Sequence, residues 1–169
     1  IEVPDSPSLR LTNATVAGWF RFDAVPSDTR TLVEKAARAD SPDAYAVWWA
    51  GGALNAHVAD TAGDGPTLSY GFAPTPGEWY HVAYTFDDLT DTQVLYVDGL
   101  AVAVGTTTTS IGHGAFPLLI GADYEASTIQ FRFPGMIDDV RIYDRALSGA
   151  AIRALAAQGY GVSVSKTGA

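Results

Sequence analysis

The most constraining stretch of this 169-residue chain runs from Trp79 to Phe86. Successive side chains of a strand point to opposite sides, so Tyr80, Val82, Tyr84 and Phe86 share one face and Trp79, His81, Ala83 and Thr85 the other. Asp87-Asp88 ends the strand. Thr92 to Val97 and Leu100 to Val104 follow, joined by Asp98-Gly99, the strongest short hairpin signal in the sequence. A second hairpin is written in Tyr45 to Trp49 and Ala53 to Val58 around Gly51-Gly52, a dipeptide that permits positive φ. Ile1 to Val3, Thr15 to Phe22, Thr31 to Lys35, Leu68 to Tyr70 and Leu118 to Ile120 read as further strands. Ser148 caps one short helix, Ala150 to Gln158, which Gly159 ends. Many short strands, tight turns and a single late helix argue for a two-sheet antiparallel sandwich.

Composition fits an all-β chain and narrows its partners. An apolar fraction of 47% with 17% charged residues excludes a disordered chain, and 17 Gly and 9 Pro supply the turns. The length suits one domain, expected over residues 1–159 with a polar tail over 160–169. The net charge of -9 argues against nucleic acid or an anionic membrane surface, both of which need a basic footprint, and suits a cation and a neutral ligand. No apolar run is long enough for membrane insertion. The lack of Cys removes disulfides, thiolate metal sites and Cys nucleophiles. The chain starts inside a strand, with neither an initiator Met nor a signal peptide, and is expected to be a fragment of a larger protein.

Pro134 to Ser148 combines a Pro-Gly turn, a strand and the helix cap. Plain alternation puts Asp138 in line with Val140 and Ile142. A carboxylate on a core face is costly unless it is paired or bound to a metal.

Four segments in this order, Trp79-Tyr80-His81-Val82-Ala83-Tyr84-Thr85-Phe86-Asp87, Leu95-Tyr96-Val97-Asp98-Gly99, Leu119-Ile120-Gly121 and Phe133-Pro134-Gly135-Met136-Ile137-Asp138-Asp139-Val140-Arg141-Ile142-Tyr143 with Ala146-Leu147-Ser148, resemble the signatures of the laminin-G-like, concanavalin A-like jelly-roll family. The resemblance covers about Val3 to Leu155 and is specific for the fold, not for a ligand. It departs at the start, where family members carry a further half strand of the form Phe-Asp-Gly. It implies an all-β two-sheet jelly roll with one short C-terminal helix, a secreted or cell-surface setting, and a structural calcium (Ca2+) bridging the entry loop and the closing strand. Asp5 and Asp138 are the residues that match the family's acidic positions, and calcium takes six to eight oxygens from carboxylates, carbonyls and water. The competing fates are plain hydrogen bonding: Asp138 to loop amides, Asp5 as a turn cap, and Asp139 paired with Arg141.

An enzyme reading finds little. Related jelly-roll glucanases carry Glu-x-Asp-x-Glu on one strand, and no Glu here is followed two places later by Asp. Adjacent carboxylates such as Asp87-Asp88 or Asp138-Asp139 diverge on a strand and cannot readily meet the separation of about 5 Å that a retaining glycosidase needs. His57, His81, Gln130 and Arg132 lack the motifs of polysaccharide lyases, and His81 reads as structural.

Carbohydrate binding is the better prospect, because sugars offer flat C–H faces to aromatic side chains and hydroxyls to polar ones. Trp48 and Trp49 are neighbours on one strand, so one of them points away from the core. That outward ring, with Asn55 and His57 on the adjoining strand and Tyr124, Glu125 and Arg132 from the loop before Pro134, is the expected ligand surface. The expected partner is a polysaccharide or glycoconjugate. The alternatives are an adhesive or structural domain that binds other domains of its parent protein, and a polysaccharide lyase or hydrolase.

Overall fold

The computed structural model describes residues 1–38, 43–125 and 128–160. In chain order the strands are β1 (Glu2–Val3), β2 (Ala14–Phe22), β3 (Arg30–Ala36), β4 (Asp43–Ala50), β5 (Ala53–Val58), β6 (Leu68–Gly71), β7 (Trp79–Asp87), β8 (Thr92–Val97), β9 (Leu100–Thr106), β10 (Leu118–Ile120), β11 (Asp123–Glu125), β12 (Thr128–Gln130) and β13 (Gly135–Tyr143). One α-helix, α1 (Gly149–Ala157), closes the order. The larger sheet runs β1-β10-β3-β4-β5-β6 and the smaller β13-β2-β7-β8-β9, with β11 and β12 forming a separate hairpin. Every pairing is antiparallel. The all-β jelly-roll sandwich expected from the sequence is therefore the fold.

The two sheets are held by alternate residues of each strand. Phe20, Phe22, Tyr84, Phe86 and Leu95 of the smaller sheet pack against Tyr45, Val47, Trp49, Leu54, Ala56 and Leu118 of the larger one. Burying side chains of this kind contributes about 1.5–3 kcal/mol each, which sets the register firmly. Buried polar atoms inside this core are paired, as they must be. The Tyr84 hydroxyl donates to Gln93 Oε1 at 2.7 Å, and Trp49 Nε1 to the Phe72 carbonyl at 3.0 Å. Both hairpin turns use the left-handed region, with φ of 49° and 78° at Asp98 and Gly99 and 59° and 83° at Gly51 and Gly52.

The outer face of the smaller sheet carries α1. Ala17 and Ala83 sit opposite each other in the register, and their small side chains let Ile152 descend to full burial beside Tyr96. Ser148 caps the helix as its sequence implies, accepting from the Ala151 N–H. Among the described residues no helix is long and apolar enough to cross a membrane.

Strand β13 breaks the plain alternation. A bulge between Asp138 and Arg141, with φ of 49° at Asp139, inserts one extra residue against β2. Ile137 opposes Phe20 and faces the core, Asp138 opposes Trp19 on the outer face, and Val140 and Ile142 return to the core. Asp138 is thus not in line with Val140 and Ile142; the bulge re-phases the strand. Asp139 pairs with Arg141 through both carboxylate oxygens, at 2.9 and 2.7 Å.

Where β13 begins, a Cβ on Gly135 would lie 1.9 Å from the Arg21 carbonyl oxygen. Gly135→Ala should force β13 away from β2 and cost about 1–3 kcal/mol. The check is urea unfolding, where the midpoint should fall with little change in slope.

Candidate functional site

The register of β4 separates the two neighbouring tryptophans. Trp49 opposes Leu54 and is 4% exposed within the core, whereas Trp48 opposes Asn55 and is half-buried on the outer face of the larger sheet. Trp49 is therefore a core residue and not part of a ligand surface; its indole N–H is consumed by Phe72. His57 opposes Ala46 and packs edge-on to Trp48 with ring centroids 5.0 Å apart. Asn55 shares this face and donates to the Ala53 carbonyl.

Beside these residues the sheet carries a group of carboxylates that the motif reading missed. Glu34 of β3 opposes Ala46 and Leu119, which puts it on the same outer face. Asp43 opens β4, and Asp123 opens β11, which lies over β3. One oxygen each from Glu34, Asp43 and Asp123 fall within 4.8 Å of one another. Asp43, Asp123, Trp48, His57, Ala46, Thr29 and Thr31 line one small hollow. His57 Nε2 is 3.5 Å from Asp43 Oδ2, and Thr31 Oγ1 donates to Asp123 Oδ2 at 3.5 Å.

Glu34 is the unusual member, since it is fully buried. Its Oε2 accepts from the Tyr124 N–H at 3.2 Å, while Oε1 has no hydrogen-bond partner. Burial first, and then the carboxylates of Asp43 and Asp123, raise its pKa from 4.5 to about 10. Two unit charges 4.8 Å apart repel by about 3.5 kcal/mol at an effective dielectric constant of about 20. Three ionised carboxylates at this spacing need either a proton or a cation between them. Hard oxygen donors in a charge-dense group are the donor set that a divalent cation such as calcium takes.

The pair implied by the family resemblance does not fit that role. Asp5 accepts from Arg10, and its Oδ1 is 3.1 Å from Lys35 Nζ. The Arg10 guanidinium, aided by Lys35, holds its carboxyl below the usual range. Lys35 is itself buried, facing the sandwich interior opposite Tyr45, where it also donates to the carbonyls of Gly114 and Phe116. Asp138 stands on the outer face of the other sheet, where it accepts from the Asp139 N–H. Asp5 and Asp138 thus do not come together, and Asp5 already has two cations.

Of the loop residues expected at the ligand surface, Tyr124 reaches the site through its backbone N–H, and its ring sits 6.0 Å from that of Phe116. The side chain of Glu125 lies outside the described residues. Arg132 lines a different hollow, with Ile1, Glu2, Leu119 and Phe133, and so is not brought beside Trp48. His57 and Arg132 therefore do not form a base and partner. Glu34 carried a signal after all: a Glu-Lys pair inside an otherwise apolar strand must bury one charge, and Lys35 faces the interior while Glu34 faces out under β11.

A search among curated protein sequences returns no match. Solved structures do resemble the fold. The CBM40 of Ruminococcus gnavus IT-sialidase bound to alpha2,3 sialyllactose aligns with a TM-score of 0.73 at 17% identity, over 86% of this chain and 83% of that one. A native heptameric SAP-like pentraxin from Limulus polyphemus aligns with a TM-score of 0.66 at 16% identity, over 92% and 80%. The binding domain of botulinum neurotoxin serotype G aligns with a TM-score of 0.69 at 13% identity, over 92% of this chain and 39% of that one. At these identities the likeness establishes the shared fold. The sequence pattern of one family matches residues 1–153, nearly the whole of the described sandwich, and the chain belongs to that family, the concanavalin A-like lectin/glucanases superfamily.

Proposed function

We propose that this chain is a non-catalytic carbohydrate- or glycoconjugate-binding module of a larger secreted or cell-surface protein, with its ligand surface on the outer face of the larger sheet. The observation that carries the reading is the conjunction on that face of a half-buried Trp48, met edge-on by His57, with the buried carboxyl of Glu34 and the half-buried carboxylates of Asp43 and Asp123. Trp48 offers a flat apolar platform, and Asn55, Thr29 and Thr31 offer hydrogen bonds beside it. The sialyllactose-bound CBM40 supports the same ligand class on the same fold.

In this reading a structural calcium is held by Glu34, Asp43 and Asp123, replacing the clasp that the sequence suggested between Asp5 and Asp138. It would tie the β11–β12 hairpin to β3 and β4, and so fix the wall of the hollow beside Trp48. Extracellular calcium is abundant enough to occupy a site of modest affinity, which accords with the proposed setting.

A glycan array probed with calcium and then with EDTA tests the ligand class. Binding that falls at least tenfold in Trp48→Ala is the expected result, and a calcium-loaded, stably folded protein with no glycan signal would reject it. For the metal, calcium at about a hundred times its dissociation constant should add about 2.7 kcal/mol, raising Tm by roughly 5–10 °C. Asp43→Asn should lose most of that rise. Terbium in place of calcium should show emission sensitised by Trp48, absent in Trp48→Phe while the thermal shift remains. Without metal the sign of the pH dependence is also fixed. Folded Glu34 keeps its proton up to about pH 10, whereas the unfolded chain releases it near 4.5, so in EDTA stability should fall as pH rises through that window. Glu34→Gln should flatten the fall; an unchanged slope in urea titrations at several pH values would contradict it.

A further inference from the structure

The outer face of the smaller sheet holds a second group of aromatic rings that the proposed ligand surface does not use. Trp79 stacks on Tyr160 with ring centroids 4.9 Å apart and planes 20° from parallel. Trp19 meets Tyr160 edge-on at 5.3 Å and His81 edge-on at 5.4 Å. Trp19, Trp79 and Tyr160 form one wall of a hollow of about 490 Å³, whose other lining residues are Asp98, Arg153, Ala156 and Ala157. The two alanines on the C-terminal half of α1 leave the space open.

The hollow has a platform already built. Tyr160 is 54% exposed and is backed by the Trp79 ring, so its outer face is open to a flat apolar group. Trp19, only 8% exposed, closes the inner wall, and its Nε1 is itself sealed from the opening.

The rim narrows the ligand further. Asp98 offers a carboxylate and Arg153 a guanidinium across the same opening, so an anion is opposed by one and a cation by the other. A neutral group that both donates and accepts can use both. Apolar C–H faces for Tyr160, and hydroxyls that both donate and accept for Asp98 and Arg153, are the features of a sugar ring. We propose that this hollow is a second carbohydrate site, taking a neutral pyranose ring on the face opposite the Trp48 surface and independently of any metal.

The test follows indole N–H signals of the full chain in 15N–1H spectra, assigned by single Trp→Phe substitutions. The probes are the methyl glycosides of glucose, galactose, mannose and N-acetylglucosamine, titrated one at a time in EDTA. At least one should move the Trp19 and Trp79 signals saturably, with the Trp48 signal unmoved. Ala157→Phe, placed on the exposed side of α1, should fill the hollow and weaken that binding at least tenfold, and Arg153→Ala should weaken it severalfold; Trp48→Ala should leave it intact. If none of the four glycosides moves the Trp19 signal, or if Ala157→Phe leaves the titration unchanged, the site does not exist. Neither result bears on the glycan array, whose readout depends on Trp48.

Discussion

The period-two alternation of the strands, locked by the aromatic core between the sheets, is the constraint on which every functional feature rests. Phe20, Phe22, Tyr84 and Phe86 on one side and Tyr45, Val47 and Trp49 on the other cannot slip by one residue without exposing their rings. Once they are fixed inward, their immediate neighbours are fixed outward. Trp48 and Glu34 appear on one outer face and Trp19, His81 and Trp79 on the other as a consequence of packing. The sandwich thus presents two chemically distinct surfaces, one acidic with a single prominent ring, the other aromatic and covered in part by a helix.

Buried charge is handled in two ways within one strand. Lys35 turns inward and is neutralised by Asp5 and by two carbonyls, which closes the end of the sandwich around the entry segment. Glu34, one residue earlier, turns outward under the β11–β12 hairpin and has no cation among the described residues. Its neighbours are two further carboxylates, so Glu34 holds a proton where Lys35 holds an ion pair.

The fold was legible in the sequence because alternation, the Asp98-Gly99 and Gly51-Gly52 turns and the Ser148 cap are all local signals. The placement of the proposed surface was legible in part. Adjacent tryptophans on a strand guarantee that one faces out, but only the pairing of β4 with β5 tells that it is Trp48. Asp138 was misplaced because a bulge is invisible to a period-two reading, and the one at Asp139 moves it from the core face to the outer one. The acidic group was missed for a different reason. Glu34 and Asp43 lie on consecutive strands but Asp123 comes from β11, far along the chain, and no spacing rule joins the three; only the antiparallel register and the hairpin folded over β3 do so.

The same register carries a kinetic consequence. The edge pairings Glu2 with Leu119 in one sheet and Phe20 with Ile137 in the other each join residues more than a hundred positions apart. Neither sheet can be completed from its own neighbourhood of the chain, since β10 must return to β3 and β13 to β2. Loop-closure entropy on that scale is met before the contacts reward it, which places the protein among slow-folding, high-contact-order topologies. Until β13 arrives, β2 is left with a bare edge. The face that carries Trp19 is therefore completed only when the two ends of the chain meet.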